Sequence, residues 1–374
     1  MSFAADITGV KVQPLNSTIQ SAWSEIGVAD LCAWNDVLFR SGASIYQYPF
    51  WNEPYRHLGV TPRYVLWGTP HRPKALAAVL TVGFGPAKIG LVFRGPIQLT
   101  PELGFSRSML NELFAWARSQ GYMFLRFTHS DPEILSGLAA ASDRALDSDE
   151  FPYMQDYPIV SGDYIVEQSD GDEETLDSFD REVRRKIRRA DEAGYEFRST
   201  DSLEELAAVW PLYEQCARRK KFRVERPLSF FLDLMRGARL NHLARLYNVH
   251  LKGNAVGSTL VFRDRTTAHC QVAAFEPEHR QSSTFLHWHA MRDMYRRGAR
   301  RYNLGPGPGS LVRFKSMFCT PAQYPGPLTV VLKENWFQMW KKGFIPVARR
   351  FRPIVRKLAL KRSALSHSVA GSKD

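Results

Sequence analysis

One order of segments occurs twice in this chain, and the repeat limits the folds that it can adopt. In the second copy, several strand-like segments are followed by a helix with apolar residues at helical spacing, which ends at Gly298, and then by a short strand at 301–304. Glycine is favoured after a helix because it adopts the left-handed conformation without strain. The first copy ends in the same way, with a helix up to Gln120, then Gly121 and a strand at 122–127. We predict one fold used twice, each copy being a mixed sheet with helices on its faces.

The length of the chain and one change in composition indicate where the copies separate. A chain of 374 residues can form two domains with separate cores. The copies are separated near 160–175 by an acidic segment that contains serine and glycine. We predict a first domain at 1–165, a second domain at 166–332 and a basic, amphipathic C-terminal tail at 333–374.

The positive charge of the chain is concentrated in this tail. The net charge is +12, which indicates an anionic partner. Ten lysines and arginines lie between Lys333 and Arg362, where Glu334 is the only acidic residue. Aromatic residues alternate with them, and Pro346 and Pro353 interrupt any single long helix. We predict that the tail binds the surface of an anionic membrane. Binding to the backbone of a tRNA is the alternative.

Other features argue against a secreted, membrane-spanning or metal-binding protein. The N-terminus lacks the charged and apolar regions of a secretory signal peptide, and no run of about 18 apolar residues occurs. The cysteines have no paired spacing, so we expect neither a disulfide framework nor a metal site. They are Cys32, Cys216, Cys270 and Cys319. These features predict a cytoplasmic protein.

A strongly basic helix is predicted at 175–194. One face of it is apolar, and six lysines and arginines cover the others. These residues can form a solvated face that the neighbouring acidic residues partly balance. They can also contact phosphate, for which the arginine guanidinium is well suited. The sequence leaves both interpretations open.

Five short motifs occur in a fixed order along the chain. They are the segment 46–51 with Gln47 and Trp51, the tripeptide Arg94-Gly95-Pro96, the basic helix up to Gly194, the segment 218–227 from Arg218 to Pro227, and the segment 302–315 with Asn303, Gly305, Phe314 and Lys315. Together they resemble the FemABX family of aminoacyltransferases over roughly residues 45–332. The resemblance implies an α/β protein with mixed sheets, in which two tandem GNAT-like acyltransferase domains precede the basic tail.

The resemblance also implies a reaction, namely transfer of an aminoacyl group from aminoacyl-tRNA to an amine on a lipid-linked or nucleotide-linked cell-envelope precursor. The ester is already activated, so catalysis can depend on positioning and on stabilising an oxyanion. No permanently bound cofactor is implied. Two alternatives remain: a donor that is acyl-CoA or an acyl carrier protein, in polysaccharide or lipid modification, and a non-catalytic module at the membrane surface. The chain lacks the long coiled-coil arm of the best-known members, which leaves donor and acceptor open. We expect a monomer that associates peripherally with the inner face of the cell membrane.

Lys315 is the catalytic residue that the resemblance implies, because the family's Phe-Lys lysine contacts a substrate phosphate or the carbonyl under attack. A surface lysine at the start of a strand is the alternative. The resemblance further implies that a backbone N–H between Gln271 and Phe275 stabilises the oxyanion, where two central strands of GNAT-like folds separate. The substrate-binding candidates are basic residues of the cleft and residues near a helix N-terminus, which favours phosphate. They are Arg56, Arg219, Lys220, Arg226, Arg280, Gln281 and Ser283. An ordinary helix cap is the alternative for the last of these.

The histidines give weaker signals. His287 and His289 are two positions apart on a helix, so they point in different directions and cannot share a metal ion. His269 and His279 flank the loop before this helix, and either can act as a general base, although their spacing indicates no ligand set. We predict that Cys319, which has no evident histidine partner, contributes to packing.

Overall fold

A computed structural model of the chain describes residues 22–27, 34–69, 72–84, 87–99, 104–147, 162–307 and 310–344. These residues form two mixed sheets with helices on their faces. The strands are β1 Trp23–Glu25, β2 Thr61–Thr69, β3 Arg72–Phe84, β4 Ala87–Phe93, β5 Ile97–Gln98, β6 Tyr122–Thr128, β7 Ala145–Leu146, β8 Ile165–Glu167, β9 Glu196–Thr200, β10 Ala244–Leu251, β11 Asn254–Arg263, β12 Thr267–Phe275, β13 Arg301–Asn303 and β14 Leu328–Val331. The α-helices are α1 Trp34–Ser41, α2 Pro49–Asn52, α3 Arg107–Ser119, α4 Pro132–Ala141, α5 Asp172–Asp177, α6 Arg181–Glu192, α7 Leu203–Lys220, α8 Leu228–Arg239, α9 Ser282–Arg296, α10 Ser310–Ser316 and α11 Glu334–Met339.

The predicted repeat is confirmed by the order of these elements. The antiparallel strands β2, β3 and β4 are followed by α3 and by β6, which is parallel to β4. The antiparallel strands β10, β11 and β12 are followed by α9 and by β13, which is parallel to β12. Gly298, which ends the second of these helices, has a φ of 92°, as its position after the helix predicts. Each copy is therefore a mixed sheet with its own crossover helix.

The two domains share an apolar core. In the first sheet, α3 and α4 cover one face, and in the second sheet, α6 and α9 cover one face. The remaining faces meet through residues of α2, α7 and α8. The rings of Phe50, from the first domain, and Phe262, from β11, stack with centroids 6.4 Å apart. Burial of this much apolar surface fixes how the two sheets are placed relative to each other.

Gln47, in the first of the five motifs, connects this core to the first sheet. Its side chain is fully buried. The Nε2 group donates to the carbonyl oxygen of Phe93 at 2.6 Å, and Oε1 accepts from the backbone N–H of Ala78 at 2.7 Å. Buried polar groups need such partners, so the glutamine of this motif has a structural role.

The end of the second domain was predicted wrongly. The strand β14, which the prediction included in the domain 166–332, lies in the first sheet, between β6 and β7. The next helix, α11, buries Phe337 against Phe124 of the same sheet. The predicted tail 333–374 therefore begins with residues that belong to the core of the first domain. Residues 345–374 of that tail lie outside the described part of the chain.

The basic helix is shorter than predicted. The segment 175–194 is divided into the end of α5 and the whole of α6, because Asp180 caps α6 and accepts a hydrogen bond from the backbone N–H of Glu182 at 2.6 Å. Val183 and Ile187 of the predicted apolar face are buried. Within the described residues, no helix is both long and apolar enough to cross a membrane.

Candidate active site

The parallel strand pairs of the two domains differ in how far they stay together. In the first domain, β4 and β6 are paired along the whole of β4, from Lys88 to Phe93. In the second domain, pairing of β12 with β13 stops at His269 and Asn303, although β12 continues to Phe275. The edge of β12 that faces β13 is therefore unpaired beyond His269, and we call this unpaired edge the opening; the pair β4 and β6 of the first domain has no counterpart of it.

A β-bulge lies at the start of this opening. The register between β11 and β12 shifts, so that Val261 pairs with Cys270 and Leu260 pairs with Val272, which leaves Gln271 as an extra residue. A bulge interrupts the regular ladder of hydrogen bonds and redirects the backbone. The strands thus separate in the segment Gln271–Phe275 that the resemblance indicated for the oxyanion.

Lys315 lies next to this opening. It belongs to α10 and is only 8% exposed, so the alternative of a surface lysine at the start of a strand is wrong. Its ammonium donates to the carbonyl oxygens of Gly305 at 2.9 Å and Pro306 at 2.8 Å. Burial lowers the pKa of Lys315, while the nearby Cys270 and Asp163 act to raise it. An ammonium has three N–H donors. Two carbonyls orient this one, and its third donor suits an anionic or developing-oxyanion ligand.

Most residues on the face of β12 and β13 next to Lys315 are apolar. His287, from α9, is buried there, and its Nδ1 lies 3.3 Å from the hydroxyl of Tyr302. Burial, together with the charge of Lys315, lowers the pKa of His287 to about 3. This histidine is therefore neutral at physiological pH. Tyr302 is fully buried, and Phe314 packs against the same cluster.

Acid is expected to destabilise the protein through its buried histidines. In the folded state the pKa of His287 is about 3 and that of His289 is about 4, mainly because of burial, whereas an unfolded chain has a pKa near 6.5. Between these pH values the unfolded state binds more protons than the folded state. The stability that the two neutral histidines contribute is therefore fully present above pH 6.5 and decreases as the pH falls. The expected slope is at most about 1.4 kcal/mol per pH unit for each histidine. Urea unfolding between pH 7 and pH 4.5 measures it, and His287→Phe should make it shallower.

A cavity of about 330 Å³ lies between the domains, on the opposite face of the second sheet. Both domains contribute to its wall, and the last paired residues of β12 and β13, His269 and Asn303, are part of it. The cavity therefore reaches the strands at the point where they separate. A compound in the cavity can approach a group held in the opening from the other side.

Arg94 is held rigidly in this wall. Its φ is 54°, a strained value for a residue with a side chain, and such strain is frequent at functional sites. Its guanidinium donates to Asp163 Oδ2 at 3.1 Å and lies 4.2 Å from the centre of the Tyr324 ring. Asn303 Nδ2 donates to the same carboxylate oxygen at 2.9 Å. Burial and the charge of Arg94 lower the pKa of the neighbouring His129. The remaining guanidinium donors suit a carboxylate, phosphate or carbonyl group of a ligand.

A buried pair of Asp264 and His269 forms the opposite wall. The distance from His269 Nε2 to Asp264 Oδ2 is 3.1 Å, and both side chains are less than a tenth exposed. Asp264 Oδ1 accepts from the backbone N–H groups of Thr266 and Thr267 at 3.0 and 2.8 Å. Burial acts to raise the pKa of Asp264, but the hydrogen bonds from His269 and the backbone outweigh it, so the pKa is lowered. Asp264 is thus ionised and accepts the Nε2 proton of the imidazole.

The predicted substrate-binding arginines lie in different places. The Arg56 side chain is largely exposed and forms an ion pair with Glu53 at 2.6 Å. Arg226 donates to the hydroxyl of Tyr55 at 2.9 Å, a contact between the two domains. Neither lines the cavity. Arg219 donates to the carbonyl oxygen of Phe275 at 2.8 Å, at the open end of β12.

The other candidates lie near this same end. Lys220 is exposed at the end of α7, and Arg280 is exposed in the loop that follows β12. The helix α9 begins at Ser282, and no side chain caps it. Gln281 and Ser283 flank this start, so the backbone N–H groups of the first turn have no side-chain acceptor within the described structure. Arg219, Arg280, Gln281 and Ser283 therefore remain candidates for the phosphate of a donor.

Several residues of the cavity were not predicted as site residues. Arg94 and Asn303 belong to motifs that the resemblance identified, but no role was assigned to them. Asp264 could not be identified from the sequence, because its contact with His269 depends on how the turn between β11 and β12 folds, and no local pattern predicts that contact. In the part of the chain that the structure describes, no cluster of three or more histidine, cysteine or acidic side chains could hold a metal ion.

A family model matches most of the second domain. Residues 177–316 match the family model described as "Acetyltransferase (GNAT) domain". The matched range includes β12, α9 and β13, and it ends just after Lys315. The opening between the strands, the bulge and the lysine therefore lie within the range that matches this model. No curated protein matches the sequence significantly.

Solved structures confirm the predicted fold over most of the chain. FemX has a TM-score of 0.69 with 16% identity, over 84% of this chain and 99% of that one. A conserved protein of unknown function from Bacteroides thetaiotaomicron VPI-5482 has a TM-score of 0.60 with 12% identity, over 84% and 100%. The structure titled L-PGS from Bacillus licheniformis has a TM-score of 0.52 with 14% identity, over 83% and 93%. The chain thus has the tandem fold that the resemblance implied, with FemX among the structures that share it.

Proposed function

Because residues 177–316 match an acetyltransferase family model and the chain shares the fold of FemX, we propose that it transfers an aminoacyl group from aminoacyl-tRNA to an amine on a cell-envelope precursor. The observation that carries the proposal is the opening between β12 and β13, with the Gln271 bulge and Lys315 beside it, next to a cavity between the domains. The first domain has no such opening, since β4 and β6 stay paired. The donor therefore belongs in the second domain and the acceptor in the interdomain cavity.

This arrangement suits acyl transfer without a cofactor. The carbonyl carbon of the donor ester lies in the opening, and the free amine of the acceptor attacks it from the cavity. The C–N bond forms, the negative charge develops on the carbonyl oxygen, and the bond to the ribose oxygen then breaks. Backbone N–H groups near the bulge and the third donor of Lys315 stabilise the oxyanion, which is the largest contribution in many acyl transfers.

The choice of tRNA as the donor is supported by the surface beside the site. The loop 276–281 before α9 lacks the glycine-rich sequence with which CoA-binding relatives hold the pyrophosphate. Four arginines on α6 are exposed. They are Arg181, Arg185, Arg188 and Arg189. The start of α6 is bonded to the end of α10, because the backbone N–H of Asp180 donates to the carbonyl oxygen of Met317 at 2.9 Å. The arginine-bearing helix thus adjoins the helix that carries Lys315.

Neutralising two of these arginines is expected to weaken binding of charged tRNA. Each phosphate contact that is lost lowers the slope of log K against log[salt] by about 1. We therefore expect the variant Arg185→Gln/Arg188→Gln to show a slope smaller by about 2 while acetyl-CoA binding stays unchanged. Arg236→Gln, on the exposed face of α8, is the matched control and should leave the slope unaltered. Filter binding of radiolabelled aminoacyl-tRNA at several salt concentrations measures these slopes.

The reaction itself is tested with both donors. Total tRNA charged with radiolabelled amino acids and labelled acetyl-CoA are each incubated with the protein and a nucleotide-linked peptidoglycan precursor. Transfer of label from tRNA to the precursor is the expected result. Transfer from acetyl-CoA alone would replace the proposed donor, and that alternative has support from the acetyltransferase family model. Transfer from neither would overturn the proposed activity and leave a binding module.

A membrane location would bring the enzyme to a lipid-linked acceptor. We define the basic aromatic surface as α11 and the turn that follows it, residues 334–344. Trp336 and Met339 are exposed to 42% and 58%, and Lys341 and Lys342 are exposed beside them. Seven further lysines and arginines follow between residues 345 and 362. Exposed aromatic residues next to clustered positive charge favour the surface of an anionic bilayer.

A further inference from the structure

We infer that His269 is the proton acceptor for the attacking amine, and that Asp264 is the positioning residue that prepares it. The inference rests on the proposed acyl transfer and adds to it a specific group in the interdomain cavity. The general mechanism does not require such a group, because the ester is already activated.

The two nitrogens of His269 have different surroundings. Nε2 is held by Asp264 at 3.1 Å, and the carboxylate is itself fixed by the backbone of its own turn. A carboxylate that accepts the Nε2 proton leaves Nδ1 with a lone pair. Nδ1 has no hydrogen-bond partner within the described structure, although the residue is only 6% exposed. A buried polar atom without a partner is destabilising, because it has lost its hydrogen bonds to water. A substrate that bonds to Nδ1 would remove this destabilisation.

The position of His269 fits proton transfer at the reacting carbon. It is the last residue of β12 that pairs with β13, and it lines the cavity. The bulge residue Gln271 follows two positions later, a separation of about 7 Å along a strand. The proposed oxyanion site and the imidazole are therefore neighbours on one strand. The other histidines differ from it. His129 lines the same cavity, but its Nδ1 accepts a hydrogen bond from the backbone N–H of Asp131 at 3.0 Å. His287 lies on the opposite face with Tyr302, and His250 on β10 has an unpartnered Nδ1 but does not line the cavity.

The acceptor ammonium loses two protons in the course of the reaction. The acceptor loses its ammonium proton to solvent and enters as the free amine. When its nitrogen attacks the carbonyl carbon, the nitrogen becomes positively charged, and His269 Nδ1 takes one proton from it. As the tetrahedral intermediate collapses, the bond to the ribose oxygen breaks and the imidazolium returns that proton to the leaving oxygen. The products are the amide and the tRNA with a free hydroxyl, and His269 is again neutral.

The variant His269→Gln tests this role. The glutamine amide can still donate to Asp264, so the wall of the cavity is retained while the basic nitrogen is lost. We expect kcat to fall about 100- to 1,000-fold, in the range of general-base catalysis, with little change in the KM for the precursor. The assay uses charged tRNA or acetyl-CoA, whichever the wild-type protein turns over, with the nucleotide-linked precursor. His269→Ala should regain part of its kcat when imidazole is added. His250→Gln is the matched control, and its kcat should equal that of the wild type.

A second measurement does not depend on turnover. Nitrogen-15 NMR of labelled histidine distinguishes a protonated from an unprotonated ring nitrogen, and we expect Nδ1 of His269 to be unprotonated at pH 7.5. A protonated Nδ1 would overturn the inference. An unchanged kcat in His269→Gln, with the wild type active, would overturn it alone and leave the proposed function intact. No transfer by the wild type from either donor would overturn the proposed function and this role together.

Discussion

Replacing Lys315 by methionine is expected to lower kcat for acyl transfer by about 100- to 1,000-fold, comparable to the loss of one donor to an oxyanion. Methionine keeps the length of the side chain and its apolar body but removes the ammonium. In the wild type, the carbonyl oxygens of Gly305 and Pro306 hold the ammonium beside the opening between β12 and β13. Because these contacts exist before substrate binds, the charge is oriented in advance. Steady-state kinetics with charged tRNA and the precursor measure the loss.

The substitution also removes two hydrogen bonds, so stability must be measured alongside activity. Lys186→Met is the matched control, since Lys186 is a partly buried lysine on the neighbouring α6, where it pairs with Glu182 at 2.8 Å. We expect this control to keep full kcat. If Lys315→Met retained the thermal unfolding midpoint of the wild type and also its kcat, the catalytic role of Lys315 would be excluded. If the midpoint fell by many degrees, activity would be compared at a temperature where both proteins are folded.

The two domains differ at their parallel strand pairs, and in the proposed reaction each domain has a different part. Each has a parallel strand pair joined through a helix, but only the pair in the second domain separates. The first domain contributes Arg94 at the end of its own β4–β6 pair, and the interdomain cavity lies there. In the proposed reaction, one copy of the fold offers an opening for the acyl group, and the other closes the space through which the acceptor approaches.

Local sequence patterns predicted the repeat, the short strands that end each copy and the glycine that ends α9. They succeeded because periodicity and turn residues depend on neighbours in the chain. The turn at Lys252 and Gly253 is an example, since both residues have positive φ, as a two-residue hairpin requires. The strand β14 could not be placed in this way. It pairs with β6, two hundred residues earlier, and its apolar residues fit either sheet equally well.

The candidate site, like the fold, was predicted only in part. Lys315 was identified through a motif, and its burial and contacts agree with a functional position. The cavity was not foreseen, because its wall joins residues that are far apart in the sequence. Asp163 lies in an acidic segment that reads as a boundary between domains, yet its carboxylate links Arg94 with Asn303. Only the packed domains bring these three side chains together.

Deleting residues 333–374 is expected to unfold the first domain, whereas deleting residues 345–374 should leave it folded. The longer deletion removes Phe337 and Trp340, which cover Phe124 on the first sheet. Loss of one buried phenylalanine alone typically costs about 3–5 kcal/mol, a large part of the stability of an average domain. Phe337→Ala should therefore lower the free energy of unfolding by about that amount, measured with urea, while Trp336→Ala on the exposed side of α11 is its control.

The shorter deletion tests the membrane proposal without this damage. It removes eight lysines and arginines and retains the whole basic aromatic surface, residues 334–344. Each basic residue near an anionic bilayer contributes about 1 kcal/mol, so binding to vesicles of phosphatidylglycerol and phosphatidylcholine should fall by at least 100-fold. Binding of charged tRNA, which we assign to α6, should stay unchanged. Sedimentation with vesicles and filter binding separate the two effects. A deletion that kept vesicle binding but lost tRNA binding would reverse the assignment and make residues 345–374 a nucleic-acid-binding segment.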